Sequence, residues 1–169
     1  TASMRLPLTA CFLLLMFSVT ATVQTDSLTE QINDQVWKPF INTYNNMYTE
    51  GFMALHSKKI LRITEDSKHI YNYEEYAQNI RTGNENGKKN KIRQSIELRF
   101  INRFIQNEQA FETGYYKTTI IELDGSKRSG YGKFHVLLQK ERDVWKIMLD
   151  TDAEDNVNES IFLTGKLIK

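Results

Sequence analysis

SIELRFINRFIQNEQAFETGYYKTTIIELDGSKRSGYGKFHVLLQKERDVWKIMLDTD, Ser95–Asp152, reads as four consecutive antiparallel strands. They are Ser95–Asn107, Gln109–Leu123, Lys127–Glu141 and Trp145–Asp152. Alternation with period two puts Ile96, Leu98, Phe100, Asn102 and Phe104 on one face of the first. It does the same for Phe111, Thr113 and Tyr115, then Phe134, Val136 and Leu138, then Trp145, Ile147 and Leu149. Asp124-Gly125 is a strong hairpin signal, and Asn107-Glu108 and Arg142-Asp143 supply the other turns. Tight turns there set Phe104 opposite Phe111, Tyr115 opposite Phe134 and Val136 opposite Leu149. Those large apolar side chains then all share one buried face, and a one-residue slip would turn a whole strand's set outward.

Ahead of the sheet, Ser27-Leu28-Thr29-Glu30 has the form of a capping box. Leu28, Ile32, Val36, Phe40 and Met47 keep helical spacing behind it, with Trp37, Ile41, Tyr44 and Tyr48 on the adjoining stripe. So wide an apolar surface predicts a helix that is embraced by the rest of the fold. Pro39 should kink it or start a second helix. Gly51 ends the run, Phe52–Leu55 is a short helical turn, and Ile60–Thr64 a short strand. After a turn at Asp66-Ser67-Lys68, Asn72 caps another helix with Glu75 at the third position. Residues Thr82–Asn90, rich in Gly, Asn and Lys, are expected to form a mobile basic loop, and Ile161–Lys169 a weakly structured tail.

With 40% hydrophobic residues, the 169-residue chain is long and apolar enough to bury a core. Its 22 basic and 21 acidic side chains are interspersed, a balance that gives no electrostatic footprint for nucleic acid. Met4-Arg5, the apolar run Leu6–Val19 and the small-residue pattern Val19-Thr20-Ala21 predict a signal peptide over residues 1–21. Thr1-Ala2-Ser3 read as a remnant upstream of the initiator. The expectation is an exported protein, periplasmic or secreted, with one domain over 22–169 and no stable membrane association after cleavage. The lone cysteine, Cys11, falls inside the signal segment, so the mature domain would contain no thiol.

Helices first and an antiparallel sheet afterwards define an α+β chain. Ala54-Leu55-His56, Phe111-Glu112-Thr113-Gly114-Tyr115, Ser129-Gly130-Tyr131-Gly132-Lys133-Phe134 and Val144-Trp145-Lys146-Ile147 sit in that element order. In these stretches, over about Leu28–Asp155, the chain resembles the nuclear transport factor 2-like superfamily, and more narrowly its SnoaL-like small exported bacterial members. The resemblance implies a cystatin-like cone, a curved antiparallel sheet wrapped around the long N-terminal helix, with a pocket at the wide end. It also implies a choice of functions, because such folds serve isomerases, cyclases and dehydratases as well as non-catalytic binding and dimerisation modules.

If the apolar sheet face is the inside of the cone, Asn102, Thr113 and Tyr115 are its polar interruptions. Trp37 and Tyr44 from the helix, His56 and Arg62 complete a candidate ligand site. A mostly apolar space with a few hydrogen-bonding groups suits a small apolar or amphipathic molecule. The same register leaves that face without an Asp or Glu. The resemblance points to a carboxylate just after the first strand as a general base, which makes Asp66 the catalytic candidate, with His56 beside it; the proline that follows the base in those enzymes is absent here. Tyr44 or Tyr115 would then donate a hydrogen bond. His135 falls opposite Asp150 on the outer face, where Arg103 and Glu112 form a cross-strand ion pair. Ile101, Ile105, Tyr116, Ile120, Tyr131, Leu137 and Met148 make that outer face too apolar for comfortable solvation, which predicts a homodimer through it. His56, His69 and His135 lack ligand spacing, and no metal site or cofactor is expected.

Overall fold

A computed structural model describes residues 27–154 and 156–168. The predicted signal segment with Cys11, and the proposed cleavage point, lie outside them.

The first helix, α1, is continuous over residues 27–45. Its middle, Asn33–Trp37, is a π turn in which the Lys38 amide donates to Asn33 O, and its last part, Lys38–Asn45, is regular α-helix. The widened turn lies directly before Pro39, whose ring cannot donate and would crowd the carbonyl four residues back in a regular turn. The expected interruption is therefore a local bulge, and the helix runs on. It buries Ile32, Val36 and Trp37, with the Trp37 ring edge-on to Phe100 at 5.3 Å and tilted against Phe134 at 5.8 Å. Polar side chains tie it to the sheet: Trp145 N donates to Gln35 Oε1 at 2.9 Å, and Ile96 N to Asn45 Oδ1 at 2.9 Å.

Next come α2 (Thr49–Ala54), β1 (His56–Thr64), β2 (His69–Tyr71) and α3 (Tyr73–Lys89). The predicted capping box of α3 is present, Asn72 Oδ1 accepting from Glu75 N and Glu75 Oε2 from Asn72 N, each at 3.0 Å. The loop expected over Thr82–Asn90 is instead the last turns of this helix. Packing outweighs the poor propensity of its two glycines and its asparagines. Gly87 is buried against Met47, and a Cβ there would approach the Met47 Cε at 2.9 Å, so the packing of α3 against the turn after α1 requires this glycine. Lys88 and Lys89 sit favourably at the negative end of the helix dipole.

The long strands are β3 (Arg93–Gln106), β4 (Gln109–Ile121), β5 (Lys127–Glu141) and β6 (Val144–Ala153), followed by α4 (Glu159–Phe162) and β7 (Lys166–Leu167). They form a seven-stranded mixed sheet in the order β2-β1-β6-β5-β4-β3-β7, with β1 parallel to β6. The tail is better ordered than expected. Asn158 caps α4 by accepting from Ile161 N at 3.1 Å, and Phe162 is buried beside Tyr131 and Arg99 on the outer face.

The four-strand meander is present as expected, but two β-bulges and one loop change its faces. Phe104 does pair with Phe111, and Asn102 with Thr113, yet the register shifts between Phe100 and Asn102. The extra residue, Ile101, reverses the parity of β3. Ile96, Leu98 and Phe100 point inward before it, Arg103 and Ile105 after it, and Asn102 and Phe104 outward. On β4 the inward set is therefore Ala110, Glu112, Gly114, Tyr116, Thr118 and Ile120. The loop after β4 holds three residues, Leu123 to Gly125, closed by Glu122 N donating to Ser126 O, with Gly125 at φ +86°. That odd length sets Tyr115 opposite Lys133, and Phe134 opposite Gly114.

On β6 the expected register holds from the turn to Leu138–Ile147 and then shifts by one. Val136 faces Asp150, Leu137 faces Leu149, and His135 faces Thr151. Trp145 and Ile147 stay inside, Leu149 turns outward, and Asp150 and Asp152 turn inward. The expected His135–Asp150 pair does not exist. Ile105, Tyr116 and Ile120 likewise belong to the interior and Met148 is the bulged residue of β6, leaving Ile101, Tyr131 and Leu137 of the expected outer set outside with Phe104, Phe111, Tyr115 and Leu149.

Candidate functional site

Inside the cone is a cavity of about 520 Å³. Trp37, Phe40 and Tyr44 of α1, Phe52 of α2 and Ile80 of α3 form one wall; Ile96, Leu98, Phe134, Val136 and Ile147 of the sheet form the other. Two ring-over-glycine pairs shape the sheet side, since a Cβ at Gly114 would collide with the Phe134 ring and one at Gly132 with the Tyr116 ring. The polar end collects Arg62 and Thr64 of β1, Tyr71, Tyr76 and Asn79, Tyr116 and Thr118 of β4, Arg128 and Ser129 of β5, and Asp150, Asp152 and Glu154.

Arg62 is the centre of this polar end. Its Nη2 is 2.8 Å from Asp152 Oδ2, and its Nη1 donates to Ile63 O at 2.6 Å. Its Nε lies 3.4 Å from Asp150 Oδ2 without making a hydrogen bond. Burial opposes the Arg62 charge, but Asp150, Tyr76 and Asp152 together outweigh it and hold the guanidinium above its ordinary range. Burial pushes the Asp150 carboxyl up, and Arg62 only partly offsets it. The Asp152 carboxyl is also raised by burial, against Arg62 and the hydrogen bond from Tyr116. Burial likewise raises the Tyr76 and Tyr116 hydroxyls, with the neighbouring acids adding to it. Two carboxyls that resist ionisation thus flank one guanidinium, the kind of environment that tunes acids and bases toward neutrality.

At the other end of the cone, Glu112 is fully buried. It accepts from Trp37 Nε1 and, at 2.6 Å, from Arg103 Nε. Burial raises its carboxyl despite Arg103. This ion pair, expected on the solvent side, instead fixes the indole that walls the cavity.

Of the seven ligand-site residues expected from sequence, Trp37, Tyr44 and Arg62 line the cavity. His56 lies just behind the wall. Its Nδ1 is 2.9 Å from Phe52 O, its ring packs on Phe52 and Tyr76, and its Nε2 is buried without a partner. Burial above all pushes it down to about 3, so the ring is neutral and a poor base. Asn102, Thr113 and Tyr115 are on the outer face because of the Ile101 bulge, and Asn102 Nδ2 donates to Thr113 Oγ1 there at 3.3 Å. Asp66 is exposed, its Oδ2 accepting from Glu154 N at 2.8 Å, and it does not line the cavity. Asp66 is a loop-fixing residue. The acids that do line it, Asp150 and Asp152, were missed because Trp145, Ile147 and Leu149 dictated the parity. The adjacent apolar residues Ile147-Met148-Leu149, followed by two acids spaced by two, were the available signal of a bulge. Among the described residues no cluster of three His, Cys, Asp or Glu side chains forms a metal site.

No protein-family model and no curated protein matches the sequence. Solved structures do match the fold. An NTF2-like protein with a cystatin-like fold from Novosphingobium aromaticivorans aligns with a TM-score of 0.66 at 9% identity, over 85% of this chain and 92% of that one. An NTF2-like superfamily protein from Salmonella enterica serovar Typhimurium aligns at 0.62 and 15% identity, over 80% and 98%. An NTF-2 like protein of unknown function from Shewanella oneidensis aligns at 0.57 and 16%, over 76% and 98%. With its mixed sheet curved around α1 and its cavity between them, the chain has the cystatin-like α+β fold of the nuclear transport factor 2-like superfamily.

Proposed function

We propose that this is an exported domain, of the SnoaL-like kind, that binds a small, largely apolar molecule inside the cone. The observation that carries the reading is the cavity itself: about 520 Å³, within the range of small-molecule sites, walled by aromatic and aliphatic side chains and polar at one end. Export rests on the basic, then apolar, then small-residue pattern of the first 21 residues.

The two tryptophans provide the test. Trp37 lines the cavity and Trp145 does not, although both are buried. Titration with apolar probes should perturb the emission of the wild-type protein, and Trp37→Phe should lose most of that response while Trp145→Phe keeps it. Leu98→Trp, which fills the space from the sheet side, should weaken probe binding by at least about tenfold, since overpacking costs about 1–3 kcal/mol. Unchanged affinity in Leu98→Trp would mean that the probes bind elsewhere.

A second reading, general acid–base catalysis on a small apolar substrate by isomerisation, cyclisation or dehydration, is favoured by one observation. Asp150 and Asp152, both raised by burial, face the cavity on either side of Arg62, with Tyr76 and Tyr116 as hydrogen-bond donors. They take the roles first expected of Asp66 and His56. Deuterium exchange into a panel of enolisable ketones is the simplest assay. Activity that survives both Asp150→Asn and Asp152→Asn would remove this reading.

A further inference from the structure

The charges at the polar end of the cavity do not balance. Asp150, Asp152 and Glu154 line it together with Arg62 and Arg128. Arg128 is exposed and leans toward Glu122, outside the cavity, at 3.6 Å. Arg62 is left to serve the buried carboxylates, and its Nη donors are already committed, Nη2 to Asp152 and Nη1 to the carbonyls of Ile63 and Asp150; its Nε, 3.4 Å from Asp150 Oδ2, makes no hydrogen bond. Asp150 is only 8% exposed, lines the cavity, and accepts no hydrogen bond from any described side chain or amide. A carboxyl removed from water without donors carries a large desolvation cost, which a single guanidinium at 3.4 Å repays only in part. Burial is what pushes both carboxyls up, and the attraction of Arg62 offsets it only in part. Beside them stand the rings of Tyr71 and Tyr116, whose faces attract cations, while Arg62 already lies over the Tyr76 ring at 5.6 Å.

We infer that the ligand of this cavity is an amphipathic amine, its ammonium group meeting Asp150 and Asp152 and its apolar body lying along the aromatic wall. The inference rests on the reading of the cavity as a ligand site. A carboxylic acid would bring a third carboxyl to Asp150 and Asp152, which share one buried guanidinium, while the other lining guanidinium, Arg128, is exposed beside Glu122. An alcohol would give Asp150 a neutral donor and leave the charge deficit in place.

Octylamine, octanol and octanoic acid share one chain and differ only in the head group. Their binding to the full-length protein at neutral pH can be compared by calorimetry or by Trp37 emission. Octylamine should bind at least about tenfold tighter than octanol, the scale of a charge-assisted hydrogen bond, and octanoic acid should bind most weakly. Asp150→Asn should bring the amine-to-alcohol ratio to within about twofold of one. Octanoic acid binding as tightly as octylamine overturns the amine assignment and leaves the pocket reading intact. So does octanol matching octylamine in the wild-type protein, a comparison that needs no variant to fold. Failure of all three to bind, with no emission change, overturns the pocket reading and this inference with it.

Discussion

Glu112→Ala should destabilise the domain by about 3–5 kcal/mol, the cost of breaking a buried ion pair by removing one partner. Glu112 has no exposed surface, and its two oxygens serve two donors, Trp37 Nε1 and Arg103 Nε. Alanine would leave the Arg103 charge beneath the sheet with only the Phe100 ring, 4.4 Å away, as a cation–π partner. It would also leave the Trp37 indole N–H buried without an acceptor. Denaturant unfolding followed by circular dichroism measures the loss. Removing both charges, as Glu112→Leu with Arg103→Leu, should recover much of it, because apolar replacement of a whole buried pair is often close to neutral. If Glu112→Ala alone costs less than about 1 kcal/mol, Arg103 is escaping to solvent and the pair is not what holds Trp37.

Glu112 also shows where sequence reasoning stops. The Phe104–Phe111 and Asn102–Thr113 pairings were legible, since hairpin turns set register locally. The face was not. Phe104 and Phe111 are larger and more apolar than Arg103 and Glu112, so transfer energy alone sends the phenylalanines inward. The fold does the opposite because Ile101 is bulged, so the inward parity of Ile96, Leu98 and Phe100 lands on Arg103 beyond it. The buried pair is tolerable only because Trp37 reaches it from a helix 75 residues earlier in the chain, a contact no local pattern reports. Helices announced themselves more fully, with the Asn72–Glu75 box as expected. Even so, the extension of α3 through Gly83 and Gly87 required knowing that Met47 would be its neighbour. The cavity's apolar wall was read in part, through Trp37 and Tyr44; its acidic end followed from a second bulge near Met148 and was out of reach.

The same parity change redraws the outer face and, with it, the surface through which we propose the protein forms a homodimer. Part of that face is occupied by the chain itself: Phe162 packs on Tyr131 and Arg99, Glu159 pairs with Lys117 at 3.3 Å, and β7 pairs with β3. None of the described residues covers the hairpin end. Phe104 is 63% exposed, Ile101 43% and Phe111 38%, the last stacked at 6.4 Å on His135. Leu137 and Leu149, directly paired, continue the patch across β5 and β6. Exposed aromatics clustered on a sheet face are a cost to a solvated monomer. A second copy related by a twofold axis offers an identical apolar strip, so neither side has to supply a complementary charge pattern. An interface of ordinary size takes about 800 Å² from each partner, which the open part of a long four-strand face can supply. Leu137 lies in the middle of that part. Leu137→Glu should therefore weaken the dimer by at least about a hundredfold, because two carboxylates would be buried near the axis without partners at several kcal/mol each. Its fold and cavity should survive, since the side chain points away from the cone. Multi-angle light scattering on the domain from Ser27 onward reads the result. A wild-type protein that elutes with the mass of one chain at tens of micromolar ends the proposal, and so does a Leu137→Glu variant that still elutes as a dimer.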